Sequence, residues 1–143
     1  MIYHHILAAY DGSKPSDKAL QQAVMIAGSK PGTRLTVAYV QYQPAFAVAG
    51  YGFVPPEGYQ EKIQEYETVM LDQARNRIAS LAYASVAVLR GNPAAAILEY
   101  AQGNNCDLIV MGSRGLGAIK EWMLGSVSHH VVQQARVPVL IVK

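Results

Sequence analysis

A chain of 143 residues with a net charge of +2, no basic run and a charged fraction of only 15% lacks the electrostatic footprint of a nucleic-acid or anionic-membrane binder. Apolar residues make up 51% of it, which suits a single domain over residues 1–143 with one hydrophobic core, and no stretch reaches membrane-spanning length. Cys106 is the only cysteine, which excludes an internal disulfide and a cysteine zinc site; the N-terminal apolar run has no basic flank and breaks at Asp11, so a soluble cytoplasmic domain is expected rather than a signal peptide.

Residues 3–10 form a strand candidate that ends in the polar turn Asp11-Gly12-Ser13. A helix follows, with Pro15 tolerated in its first turn and Leu20, Ala23, Val24 and Ala27 on one face. Gly28 and the Lys30-Pro31-Gly32 break close it. Residues 34–41 read as a second, β-branched strand. The segment 43–59 is long, irregular and unusually apolar, with Phe46, Tyr51 and Phe53; it reads as a lid or partner surface, or as a loop folded back on the core. Residues 60–81 predict the longest helix, with Ile63, Tyr66, Met70, Ala74, Ile78 and Leu81 as its apolar stripe and Glu61, Glu65, Asp72, Arg75 and Arg77 on solvated faces. A third strand spans 85–89. Asn92 and Pro93 then start a helix that turns Ile97, Leu98 and Ala101 to the core and ends at Gly103-Asn104-Asn105. Cys106 precedes a fourth strand and reads as a packed thiol. The last helix is expected to bury Val127, Val131 and Ala135 before a final apolar strand, 139–142.

Strands alternating with helices predict an α/β domain, a doubly wound parallel sheet covered on both faces. Ligands of such sheets sit at the carboxyl ends of the strands, and Asp11 and Gly112 both follow strands directly. The fourth strand stops at Gly112, and the glycine spacing G-x2-G-x9-G-S then runs over Gly115, Gly125 and Ser126. A P-loop would need Lys-Ser/Thr after Gly117, where Ala118 and Ile119 stand. The dinucleotide fingerprint would need a third glycine where Lys120 stands. What remains is a split pattern leading into a helix capped by Ser126 or Ser128: a phosphate cradle, or a strand-end turn followed by an ordinary cap. His129 and His130 point about 100° apart on a helix and cannot share one ion; one should face solvent and the other a neighbouring element. His4 and His5 alternate across a strand and are equally poor as a site.

Asp11-Gly12-Ser13 after the first strand, the complete Gly112, Gly115, Gly125, Ser126 pattern and the closing apolar strand after Val137-Pro138 together resemble the ATP-binding branch of the universal stress protein family, over essentially the whole chain. The resemblance implies five parallel strands in the order 3-2-1-4-5. It implies ATP, or ADP or AMP, as ligand, together with Mg²⁺. Asp11 would accept from a ribose hydroxyl or help hold the metal, and the backbone of Val40 would meet the adenine edge. Gly112 would lie against the ribose. Gly115, Gly125, Ser126 and Val127 would present N–H groups to the phosphates, and Ser126 a hydroxyl as well. Arg114 and Lys120 are further phosphate partners or solvated loop charges. Trp122 and Met123 would pin the loop to the body of the protein. The terminal strand lies at the sheet edge in this order, uncovered, which implies a homodimer through it. The implied role is nucleotide-dependent regulation in a stress response, through a downstream protein partner that the sequence does not name. A slow ATPase or adenylate-handling enzyme, and a chaperone-like module acting through residues 43–59, stand as alternatives.

Overall fold

The computed structural model describes residues 3–41, 57–114 and 125–143. Its elements alternate as β1 (His5–Ala9), α1 (Lys14–Gly28), β2 (Arg34–Val40), α2 (Tyr59–Ile78), β3 (Ala84–Leu89), α3 (Pro93–Gly103), β4 (Leu108–Gly112), α4 (Ser126–Gln134) and β5 (Val139–Val142). The strands form one five-stranded sheet in the order β3-β2-β1-β4-β5, and every pairing is parallel. The order implied by the resemblance is therefore the order observed.

The two central strands explain the layering. Every residue of β1 and of β4 is buried, as expected for strands covered on both faces. Alternate side chains feed separate cores. Ile6 and Ala8 join Leu20, Ala23, Met70, Ala74 and Ile78 under α1 and α2. Leu7 and Ala9 join Ile97, Ala101, Ile109 and Val131 under α3 and α4. The chain runs outward from β1 through β2 to β3, then crosses to β4 on the other flank of β1. The switch point falls between the carboxyl ends of β1 and β4, where such sheets bind ligands.

Several local expectations shift. The longest helix starts and ends earlier than its apolar stripe predicts, at Tyr59 and Ile78, and Leu81 reaches the core from the turn that follows. Tyr66, expected in the core, is 44% exposed. Arg77, expected to be solvated, reaches across to α1 and pairs with Asp17 at 2.7 Å. Helix α1 ends at Gly28 without a left-handed cap; the left-handed glycine is Gly32 in the following turn. The apolar segment falls largely at residues 42–56, outside the described residues, so its reading as a lid or partner surface does not bear on the fold. No helix among the described residues is long and apolar enough to cross a membrane.

The amino end of the sheet is tied by polar contacts. The Asp107 carboxylate accepts from the N–H of His4 at 2.8 Å and of His5 at 3.0 Å, and the Asp107 N–H donates to the His5 carbonyl. His5 is itself buried. Its Nδ1 donates to the Asn104 carbonyl at 3.0 Å, and its Nε2 meets the Thr36 hydroxyl at 2.8 Å. Cys106 is buried as expected, and burial, with the Asp107 charge, pushes its thiol up to about 11, far from a reactive thiolate. For Asp107, burial is the largest single influence and acts upward, but the backbone N–H donors at His4 and His5 outweigh it and leave the carboxyl below its ordinary value. A depressed carboxyl contributes stability that is complete above its unfolded pKa, about 3.9, and is lost as pH falls through the folded value. Asp107→Asn is therefore expected to lower the urea midpoint at pH 7, with the gap to the parent closing as pH drops below about 3.9. A gap independent of pH would remove the carboxylate from the account.

Candidate functional site

The β1–α1 turn is built from its own side chains. Asp11 Oδ1 accepts from the Ser13 N–H at 2.9 Å, an Asx turn that Gly12 permits with φ of +82°. Ser13 caps α1, its hydroxyl accepting from the Ser16 N–H at 3.2 Å. The Ser16 hydroxyl donates back to the Ser13 carbonyl at 2.9 Å and accepts from the Asp11 N–H at 3.3 Å. Ser13 and Ser16 are both buried, and these bonds satisfy their hydroxyls without solvent.

Gly112 brings the end of β4 against this turn. A Cβ on Gly112 would lie 2.7 Å from the Pro15 carbonyl carbon, 2.8 Å from Pro15 Cβ and 2.8 Å from the Ser16 nitrogen. The space a side chain would take is filled by the first turn of α1, so close packing accounts for this glycine before any ribose is invoked. The register of β1 and β4 pairs Ala8 with Val110, and continuing it sets Tyr10 and Asp11 level with Gly112 and Ser113. Asp11 and Gly112 thus share the switch point, as expected.

Ser113 then organises the return of the chain. It is buried, and its N–H donates to the Val142 carbonyl at 2.9 Å. Its own carbonyl accepts from the Gly125 N–H at 2.7 Å and from the Ser128 hydroxyl at 2.9 Å. The two ends of the glycine stretch are thereby fastened together. Residues 115–124 lie outside the described residues, so the roles expected of Gly115, Lys120, Trp122 and Met123 have no geometry to be compared with.

The cap expected of Ser126 or Ser128 belongs to neither. Gly125 occupies the cap position, with φ −66° and ψ 161° and no side-chain cap bond. Ser126 is the first helical residue and is exposed. Ser128 is drawn inward, its hydroxyl also donating to the Gly125 carbonyl at 3.0 Å. The serine that sits where a cap could act is held by Ser113 instead. Helices α1 and α3 close their first turns with Ser13 and Asn92, whereas α4 opens at Gly125 with no side-chain cap bond among the described residues. Such a start presents a partial positive charge and N–H donors to an anion. Arg114, next to Ser113 in the chain, has a buried Nε with no hydrogen-bond partner among the described residues, a cationic donor in want of an acceptor.

Val40 completes the rim from the other flank of β1. The Ala38 carbonyl accepts from the Tyr10 N–H at 2.9 Å, and strand alternation turns the backbone of Val40 the same way, one rung beyond. Asp11, Val40, Gly112, Arg114, Gly125, Ser126 and Val127 therefore all stand at the carboxyl ends of β1, β2 and β4. His129 and His130 are both exposed, where one was expected to face a neighbouring element. Ser16 and Ser113 went unnoticed in the sequence, where isolated serines look like ordinary turn residues, and the inward role of Ser128 was not foreseen.

The model of the universal stress protein family matches residues 2–143. The chain belongs to the universal stress protein family. It is 34% identical over 149 aligned residues to universal stress protein YxiE of Bacillus subtilis, with 99% of this chain and 100% of that protein covered. This universal stress protein also matches the solved structure of UspA from Lactobacillus plantarum with a TM-score of 0.77 at 25% identity, covering 100% of this chain and 99% of that one. A universal stress protein crystallised in complex with cAMP matches with a TM-score of 0.70 at 27% identity, covering 100% and 98%.

In this family member, Gly112→Ala must displace backbone atoms of α1 rather than the end of a flexible side chain. The expected loss is about 1–3 kcal/mol in urea unfolding, the size of an overpacked core substitution. Parental stability would mean that α1 yields at Pro15 at little cost.

Proposed function

We propose that this protein binds ATP, with Mg²⁺, at the carboxyl ends of β1 and β4 and serves as a nucleotide-dependent regulatory protein. The observation that carries the reading is the buried Arg114 Nε, without a hydrogen-bond partner among the described residues, following Ser113, whose carbonyl holds the uncapped start of α4. Both offer donors to an anion at one strand end. The universal stress protein with bound cAMP, at 27% identity, supports a phosphate-bearing adenine nucleotide as the ligand class. In this reading Asp11 takes a ribose hydroxyl or a place beside the metal, and the Val40 backbone meets the base. Arg114 and the N–H groups of Ser126 and Val127 hold phosphate. No group of three or more His, Cys, Asp or Glu side chains that could hold a metal ion occurs among the described residues. The donor set fits Mg²⁺ held mainly by phosphate oxygens and water with Asp11 in attendance, the mode this ion favours. The ion would neutralise phosphate charge there.

Titration of nucleotide-stripped protein with Mg-ATP, and with ADP, AMP and cAMP in parallel, tests the ligand. Arg114→Ala should weaken ATP binding by about tenfold or more, since hydrogen bonds to charged groups contribute about 1.5–3 kcal/mol. No heat at millimolar ATP in the parent protein would end the reading.

The same reading includes a homodimer through β5. That strand pairs only with β4, and Leu140 on it is 37% exposed. The carbonyls of Pro138 and Val142 accept from β4, so alternation turns the backbone groups of Val139 and Ile141 to the free edge. Ile141→Pro removes an outward N–H while sparing the ladder to β4, and sedimentation should show a dimer become monomer. A variant that stays dimeric would put the interface elsewhere.

A further inference from the structure

Three of the hydrogen bonds that hold Asp11 define how its turn is set. Two are local, from its N–H to Ser16 and from the Ser13 N–H to its carboxylate. The third comes from another element: the Tyr66 hydroxyl, on α2, donates to the Asp11 carbonyl at 2.7 Å. The same hydroxyl lies 2.8 Å from where a Cβ of Gly12 would stand, with Met70 Cγ at 3.2 Å. Gly12 thus leaves open the place that the phenol enters. A glycine at φ +82° rotates more freely than any other residue. An outside bond to the preceding carbonyl is what fixes that peptide plane, and with it the direction of the Asp11 side chain.

Packing alone does not explain Tyr66. Helix α2 is anchored by Met70, Ala74 and Ile78, all buried, and by the Tyr39 hydroxyl donating to Glu67 at 3.0 Å. The Tyr66 ring is 44% exposed and adds little to that anchorage. Partial burial, then the Asp11 charge, raises the phenol above its ordinary pKa, so it remains a donor throughout the neutral range.

We infer that Tyr66 is a positioning residue for the nucleotide site, aiming Asp11 through its carbonyl and linking the occupied site to the amino-terminal half of α2. The inference rests on the nucleotide reading above. Because the link is reciprocal, nucleotide held by Asp11 also steadies the part of α2 that carries Tyr66.

A double-mutant cycle with Mg-ATP titration and hydrogen exchange tests it. Tyr66→Phe keeps the ring and removes the hydroxyl. It should weaken Mg-ATP binding by roughly three- to tenfold, the size of one hydrogen bond, with little change in the urea midpoint. In an Asp11→Ala background the same substitution should have no further effect, since the side chain it aims is gone. Mg-ATP should raise exchange protection around Tyr66 in the parent and not in Tyr66→Phe. Parental affinity in Tyr66→Phe, or the same loss with and without the Asp11 side chain, would overturn the positioning role and leave nucleotide binding intact. A parent protein that binds no Mg-ATP would overturn the nucleotide reading, and this inference with it.

Discussion

The contact between Gly112 and the first turn of α1 holds the centre of this molecule together. A strand end and a helix start approach until a single methyl group would bring atoms within 2.7 Å of backbone. That approach seats Ser16 beside β4 while its hydroxyl serves the Asp11 turn. It also sets Ser113 just beyond the strand, where its carbonyl gathers the Gly125 N–H and the Ser128 hydroxyl. The β1–α1 turn and the start of α4 thereby acquire a common frame, although they are far apart in the chain. Interiors pack to crystal-like density, so a displacement at Gly112 passes to both.

This frame spends its polar groups unevenly. Around Asp11 and Ser13 the donors and acceptors meet one another. Around α4 the buried Ser128 hydroxyl is turned inward to carbonyls, and the start of the helix keeps no side-chain cap among the described residues. A glycine at the cap position leaves the backbone open to a ligand. The uncapped start of α4 and the Arg114 Nε, without a partner among the described residues, both follow the end of β4. The proposal of a phosphate-bearing ligand rests on that strand end. Tyr66 extends the frame to α2, the helix that follows residues 42–56.

Element types and their order are legible in the chain because each segment keeps one period. The apolar runs 6–9 in β1 and Leu108–Gly112 in β4 mark strands buried on both sides, and the 3.6-residue spacing of Met70, Ala74 and Ile78 marks a helix on a core. The parallel sheet follows from their alternation. Strand order is different. Nothing in the residues of β4 says that it lies beside β1 rather than β3; the order came from the family resemblance, and the pairing of Ile6 with Leu108 bears it out. The candidate site was likewise only half readable. Asp11 and Gly112 announce themselves as turn-formers at strand ends, and Gly125 as the glycine that opens a helix, whereas the cap at Ser126 or Ser128 was misplaced because local preference favours a serine over a glycine there. A contact with Ser113, fifteen residues away from Ser128 in the chain, overrode that preference.

Sequence alone therefore settled the alternation of strands and helices, the two-sided burial of the central strands and the clustering of glycines after β4, since each depends on neighbours within a few residues. The folded structure settled which groups are left to act: that Gly112 serves α1, that Ser128 turns inward and leaves α4 uncapped, that both His129 and His130 face solvent, and that Tyr66 leaves the core stripe to reach Asp11. These depend on contacts between residues distant in the chain, which local periodicity does not encode.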